Sequence, residues 1–192
     1  MATSPAFLSP TLDLRRAVSK SWLPVLGCLA FICFTSTTLM SGYHTQFVVN
    51  DAWKLVFGNW HSDLAGPLNY DCRKVGHFFG YGAVGLIFRH AWYQTLRARR
   101  IRIGRVLKTN RLFLLSVVLS VLSIFIVSSM DELHQSFLPQ RVGSFGDVMR
   151  DTLGTVFLNL VLMAWRAYKR AAPLRFGWKL PRRASATPER AF

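Results

Sequence analysis

Four uncharged, largely apolar blocks divide this 192-residue chain, and most charged residues fall between them. The blocks are residues 21–43, 75–88, 112–130 and 152–165. About 20 helical residues cross the roughly 30 Å hydrocarbon core of a bilayer. The first and third blocks reach that length unaided. The second and fourth are shorter, and helices of that length also occur in the cores of soluble proteins.

Two observations favour membrane spans for the shorter blocks. Four crossings return the chain to the side on which it began, and the distribution of basic residues requires that arrangement. Arg89, which ends the second block, can extend its charged head toward the lipid headgroups. The sequence therefore predicts an all-α integral membrane bundle of about four transmembrane helices.

Lysine and arginine are concentrated in the N-terminal tail, in the loop after the second block and in the C-terminal tail, whereas acidic residues gather in the other loops. By the positive-inside rule, we expect a multi-pass protein of the inner cell membrane with both termini in the cytoplasm. The predicted division is a basic tail at residues 1–20, a four-helix transmembrane domain at residues 21–170, and a basic, disordered tail at residues 171–192.

The first block has an alternative interpretation as a cleaved signal peptide. Residues 23–34 fit its apolar core, and small residues follow at positions 36–41. The preceding segment of about twenty residues is long for such a peptide. Either interpretation leaves the later helices with the same orientation.

Charge and cysteine content argue against two other classes of protein. A net charge of +15 would suggest nucleic acid on a soluble surface, but here the basic segments alternate with apolar blocks, so nucleic-acid binding is not expected. The three cysteines lack metal-ligand spacing and predict neither a disulfide framework nor a zinc site.

Some residues are predicted to shape the bundle. The segment after the first block has the aromatic and apolar spacing of a short helix lying in the membrane interface. Its residues are Phe47, Val48, Val49, Trp53, Leu55, Val56, Phe57 and Trp60. Gly76 with Gly80, and the stripe of Ser116, Ser120 and Ser123, predict close contacts between helices.

Polar residues gather where the second, third and fourth helices reach one side of the membrane. The primary candidates for a site are Lys74, His77, Asp131, Glu132, Gln135, Arg141, Asp147 and Asp151, and the secondary ones are Tyr81, His134, Ser144 and Arg150. Ionisable groups cost about 2.5–3.5 kcal/mol each at a helix centre. We therefore expect them to face protein or a wet cavity and to pair, with Arg141 or Arg150 beside the acids. Each of these residues, taken singly, also has a purely structural interpretation. Asp147, for example, also suits a helix N-terminus.

Two stretches resemble the VanZ-like family of membrane proteins. Residues 74–78 with Tyr81 resemble D-K-x-x-H-F-x-x-Y, and residues 131–154 resemble D-E-x-x-Q-x-F-x-P-G-R-x-x-S-x-x-D-x-x-x-N-x-x-G. The resemblance covers about residues 70–165. Three positions depart from it, since Arg73, Gln140 and Asp151 stand where the family has aspartate, glycine and asparagine. It implies a small helical protein of the cell envelope, related to glycopeptide-resistance proteins, without a settled activity.

The first functional hypothesis is an extracytoplasmic site that binds, and in a stronger form modifies, an envelope lipid or a lipid-linked cell-wall precursor. Lys74, Arg141 and Arg150 suit a phosphate group, and Glu132 or His77 suits a general base. The sequence leaves open whether the protein is an enzyme and which cofactor, if any, it uses.

Three alternatives remain. A metal-assisted site would draw its ligands from Asp131, Glu132, Asp147, Asp151 and His77, although their spacing matches no known metal motif. A non-catalytic module would use the charges as a buried ion-pair cluster or to dock an envelope enzyme. A transporter is the third, but four helices are few and no inverted repeat is visible.

Overall fold

The computed structural model describes residues 10–38, 42–103, 109–139 and 141–175, and throughout these ranges the regular structure is helical. The helices are α1 (Pro10–Thr35), α2 (Gly42–Phe57), α3 (Ala65–Ile103), α4 (Thr109–Ser136) and α5 (Phe145–Arg175), with a 3₁₀ turn at Ser62–Leu64. The predicted all-α class is confirmed. The predicted interfacial segment is helical as α2, and its location at the membrane surface stays a prediction.

Three helices in the described part of the chain are long and apolar enough to cross a membrane. Their candidate spans are Leu14–Thr35, Asn110–Ser136 and Phe145–Ala171. Helix α3 is longer, with 39 residues, but its uncharged stretch between Lys74 and Arg89 is short. The count of four spans is therefore approximate, and the crossing by α3 stays a prediction.

Helices α1 and α5 extend into the predicted tails. Helix α1 begins at Pro10, about ten residues before the predicted transmembrane domain, and α5 continues to Arg175. Proline suits the first position of a helix, and the leucines, arginines and alanine that follow have good helix propensity. Of the predicted tails at residues 1–20 and 171–192, residues 1–9 and 176–192 lie outside the described residues, as does Gln140.

Helix α3 contacts α1, α2 and α4. The buried core residues come from α1, α3 and α4: Val25, Tyr81, Phe88, Ala91 and Ile124. Near this core, Nε1 of Trp22 donates a hydrogen bond to Oγ1 of Thr95 over 3.0 Å, which links α1 to α3. Residues 160–175 belong to a second compact unit, in which Trp165 stacks on Tyr168.

The predicted close contact at Gly76 and Gly80 is wrong. A Cβ atom added at either residue would meet nothing within 4 Å. The close approach lies at Gly82 and Gly154, because a Cβ on Gly82 would lie 2.8 Å from the Gly154 carbonyl oxygen and one on Gly154 would overlap the Phe78 carbonyl. Helices α3 and α5 therefore meet with little more than backbone between them.

The predicted serine stripe on α4 is confirmed as a packing surface. Ser116 and Ser120 are fully buried. The Ser120 hydroxyl donates a 2.6 Å hydrogen bond to the Gly85 carbonyl of α3, and Ser123 accepts one from Trp92 over 3.0 Å. Small hydroxyl side chains thus let α4 approach α3 while satisfying polar groups in an apolar surrounding.

Candidate functional site

The predicted polar residues converge where the first half of α3, the end of α4 and the start of α5 meet. They surround a cavity of about 370 Å³, which we call the headgroup cavity. Its lining includes Lys74, His77, Glu132, Gln135, Arg141 and Asp147, together with Gln46, Gly66, Asn69, Tyr70, Arg73 and Val142. Of the remaining primary candidates, Asp131 lines a neighbouring cavity and Asp151 lies buried beside His77.

Three of the four secondary candidates belong to the site. Tyr81 donates to Asp131, the backbone N–H of Ser144 donates to Glu132, and Arg150 pairs with Asp147. His134 is exposed and lines neither cavity. It follows Glu132 by two residues, and that spacing places it on another face of α4.

Asp131 accepts hydrogen bonds from three elements. The Tyr81 hydroxyl lies 2.7 Å and the Gln135 amide 2.9 Å from its Oδ2 atom, and the Ser36 hydroxyl contacts Oδ1. Ser36 and Tyr81 bring α3 and the end of α1 to the same carboxylate. The carboxylate therefore holds these elements together without a cation.

Arg141 bonds to main-chain carbonyls instead of the predicted carboxylate. Its Nη2 atom lies 2.8 Å from the Thr35 oxygen and 2.7 Å from the Thr37 oxygen, and its Nη1 atom lies 3.1 Å from Oε1 of Gln135. The last carbonyls of a helix lack intrahelical partners, so the guanidinium completes the end of α1. Burial, and secondly the charge of Arg73, lower the pKa of Arg141.

Asp147 carries the predicted ion pairs. The Lys74 ammonium lies 2.5 Å from its Oδ1 atom, and the Arg150 guanidinium contacts the same atom. The side chains of all three residues remain partly exposed to the surroundings. Lys74 therefore joins α3 to the first turn of α5.

Three other acids are deeply buried, with Asp131, Glu132 and Asp151 only 8%, 6% and 0% exposed. Among the described residues, none of them forms an ion pair with lysine or arginine. The backbone N–H of Ser144 lies 2.8 Å from Oε2 of Glu132, and the Ser128 hydroxyl 2.6 Å from Oδ2 of Asp151. Each of these two carboxylates thus has one oxygen fixed by a neutral donor.

Sequence reasoning missed Arg73 as a site residue. It appeared only as a departure from the family pattern, but its side chain lines both the headgroup cavity and the neighbouring one. It forms no ion pair with any residue that the structure describes. Its position next to Lys74, just before the uncharged block that begins at residue 75, was the available signal.

The neighbouring cavity, which we call the apolar groove, has a volume of about 330 Å³. Its lining includes the polar or charged residues Arg73, Arg141, Asp131, Gln135 and His77, and also Phe31, Ile32, Gly76, Gly80 and Val84. Gly76 and Gly80 thus leave space beside α3 where sequence reasoning expected a helix contact. The groove therefore combines charged groups with apolar surface.

A helical chain with several membrane-length helices and acids buried within them is a multi-pass membrane protein with a polar site inside its bundle. The family model described as VanZ/LLP1 matches residues 14–166. The chain therefore belongs to the VanZ/LLP1 family, and the match includes every residue of the site. No curated protein and no solved structure matches the chain.

Proposed function

We propose that this protein binds an anionic envelope lipid, or a lipid-linked cell-wall precursor, at the extracytoplasmic side of the membrane. The anionic group would occupy the headgroup cavity and the apolar chain would lie in the apolar groove. The observation that carries the proposal is that Arg73 and Arg141 line both cavities, while neither pairs with a carboxylate among the described residues.

Electrostatics favours an anion between these two arginines. Two guanidinium groups that face one space repel each other, and the lowered pKa of Arg141 reflects burial first and the charge of Arg73 second. A phosphate between them would remove the repulsion and accept paired N–H donors from Arg73, whose planar guanidinium supplies them well. Lys74 is already engaged by Asp147, so it contributes less than Arg73 to a new anion.

The shape of the apolar groove supports a lipid over a free anion. The open faces of Gly76 and Gly80 leave room beside α3, and Ile32 and Val84 supply apolar contacts. Phe31 at its edge is 66% exposed and lies in the candidate span of α1. A ligand in this groove would therefore be reached from the hydrocarbon region.

The charge pattern supports an extracytoplasmic location for the site. With both termini in the cytoplasm, the basic end of α3 would face inward and its first half would reach the outer leaflet. The site would then receive a lipid from that leaflet.

Native mass spectrometry of the protein in detergent with added phosphatidylglycerol or phosphatidylcholine tests the proposal. We expect bound phosphatidylglycerol in excess on the wild type and its loss in Arg73→Gln. Arg97→Gln is the matched control, because Arg97 is an exposed arginine on the same helix and lines neither cavity. Equal occupancy of both lipids on all three proteins would refute the lipid site.

The ion-pair cluster favours a second candidate, a non-catalytic module that docks an envelope enzyme. Lys74, Asp147 and Arg150 are partly exposed and held together on two helices, as a docking surface requires. Under this function, Asp147→Asn would weaken co-purification of a partner enzyme while phosphatidylglycerol binding persists. Loss of the lipid without any change in co-purified proteins would favour the first proposal.

A further inference from the structure

Three potential metal ligands meet at the wall of the headgroup cavity. His77 of α3, Glu132 of α4 and Asp151 of α5 each offer one ligand atom, and these atoms lie within 4.8 Å of one another. One ion between them can therefore contact all three with little movement of side chains. Three separate helices converge there, so the arrangement results from the fold and not from one local turn.

The buried charge at this point is not balanced by the protein. Glu132 and Asp151 are 6% and 0% exposed, and neither pairs with lysine or arginine in the described part of the chain. An ionised carboxylate is costly to bury unless it is paired or coordinates a metal. A single divalent cation would neutralise both carboxylates.

Two buried atoms point into this space without a partner. Oδ1 of the fully buried Asp151 and Nδ1 of His77 have no hydrogen-bond partner among the described residues. They lie 3.5 Å apart, which is long for a hydrogen bond. The other Asp151 oxygen is held by Ser128, and one Glu132 oxygen by the Ser144 N–H. Such outer hydrogen bonds orient the ligands of metal sites.

We infer that His77, Glu132 and Asp151 bind one divalent transition-metal ion of the Zn²⁺ type. One imidazole nitrogen with two carboxylate oxygens suits such an ion better than Mg²⁺ or Ca²⁺, which prefer oxygen ligands alone. His77 and Glu132 also line the headgroup cavity, so the remaining coordination position would face that cavity. An oxygen of an anionic ligand would bind there beside the arginines. The metal site itself does not depend on the lipid proposal.

A protonated His77 paired with Asp151 is the competing way to balance the charge. It would leave Glu132 uncompensated, and the 3.5 Å separation gives it a poor hydrogen bond. The two arrangements differ in one measurable respect. The ion pair makes stability independent of metal, whereas the metal site makes it rise with Zn²⁺.

Metal analysis of the tag-free, delipidated protein tests the inference. The protein is equilibrated with Zn²⁺ in detergent, desalted and measured by plasma mass spectrometry and by thermal unfolding. We expect one zinc per wild-type chain, a melting temperature raised by Zn²⁺, and loss of both in Asp151→Asn and His77→Gln. His90→Gln is the matched control, because His90 is an exposed histidine on the same helix as His77, lines neither cavity and should retain the metal.

A second variant keeps the test decisive if Asp151→Asn fails to fold. In His77→Cys loaded with Co²⁺, a thiolate-to-cobalt charge-transfer band should appear, and the wild type should lack it. Absence of zinc and of any thermal response in the wild type would overturn the inference. So would equal zinc loss in His90→Gln and His77→Gln, or a cobalt-loaded cysteine variant without the band. If the protein retains zinc but fails to bind phosphatidylglycerol, the lipid proposal is refuted and the metal inference stands.

Discussion

The ammonium nitrogen of Lys74 lies 2.5 Å from Oδ1 of Asp147, across 73 residues of sequence. Asp147 also contacts Arg150, so one carboxylate serves two cations from α3 and α5. All three side chains are partly exposed, and partly exposed pairs of this kind contribute modestly to stability. The ion pair therefore fixes which turn of α3 meets the start of α5 more than it stabilises the bundle.

Removing either side of this pair should have unequal effects. We expect Lys74→Met to lower the free energy of unfolding by about 0.5–1 kcal/mol, as for a weak ion pair. Asp147→Asn should cost more, because it leaves the Lys74 and Arg150 charges facing each other. Unfolding of both variants and the double variant in mixed micelles measures the coupling. A larger loss for Lys74→Met than for Asp147→Asn would contradict this arrangement.

The contact between α3 and α5 predicts opposite effects for two glycine substitutions. Gly154→Ala should destabilise the protein by about 1–3 kcal/mol, the usual cost of overpacking, because its Cβ would overlap the Phe78 carbonyl. Gly76→Ala should be neutral or stabilising by up to about 1 kcal/mol, since its position is open and alanine favours helix. Thermal unfolding in one detergent compares them. Equal destabilisation by the two substitutions would show that Gly76 does lie in the close helix contact that its spacing suggested.

That the candidate residues meet in one place could be predicted, because charged side chains in apolar helices have few places to lie. Lys74, His77, Glu132 and Asp147 share one end of the bundle by topology alone, and burial costs direct them inward. The neighbour of each residue was less predictable. Arg141 bonds to the carbonyls of Thr35 and Thr37, and any sequence offers carbonyls, so no residue type signalled that contact.

The glycines show a second limit of sequence reasoning. Four-residue spacing places Gly76 and Gly80 on one face of α3, but it does not say whether a helix or a groove lies beside that face. The close backbone contact instead lies between Gly82 of α3 and Gly154 of α5. Spacing identifies a face, and only the packing of the whole bundle assigns its neighbour.

Filling the apolar groove tests the proposed lipid site, because it should prevent phosphatidylglycerol binding without harming the fold. Gly80→Leu would project a branched side chain into open space at a position that lines the groove together with Ile32 and Val84. We expect phosphatidylglycerol occupancy to fall while the melting temperature stays near that of the wild type. Gly27→Leu is the matched control, because this glycine also faces open space in a helix but lines neither cavity. Retained occupancy in Gly80→Leu would place any bound lipid elsewhere.

The side of the membrane that holds the site can be tested with the native cysteines. Cys72 is exposed and precedes Arg73 at the headgroup cavity, while Cys28 and Cys33 lie in the candidate span of α1. We expect a membrane-impermeant maleimide applied to intact cells to label Cys72 and neither of the others, because the reagent does not enter the hydrocarbon region in which the span of α1 would lie.

A cysteine at the opposite end of α3 provides the control for that experiment. In a Cys72→Ser background, Arg97→Cys should react with the maleimide only after the membrane is permeabilised, since the positive-inside rule assigns this arginine-rich end to the cytoplasm. Labelling at Cys72 alone in intact cells would support an outer-leaflet ligand. Labelling of Arg97→Cys alone would show that the bundle has the opposite orientation. The cavity would then receive its anionic ligand from the cytoplasmic leaflet.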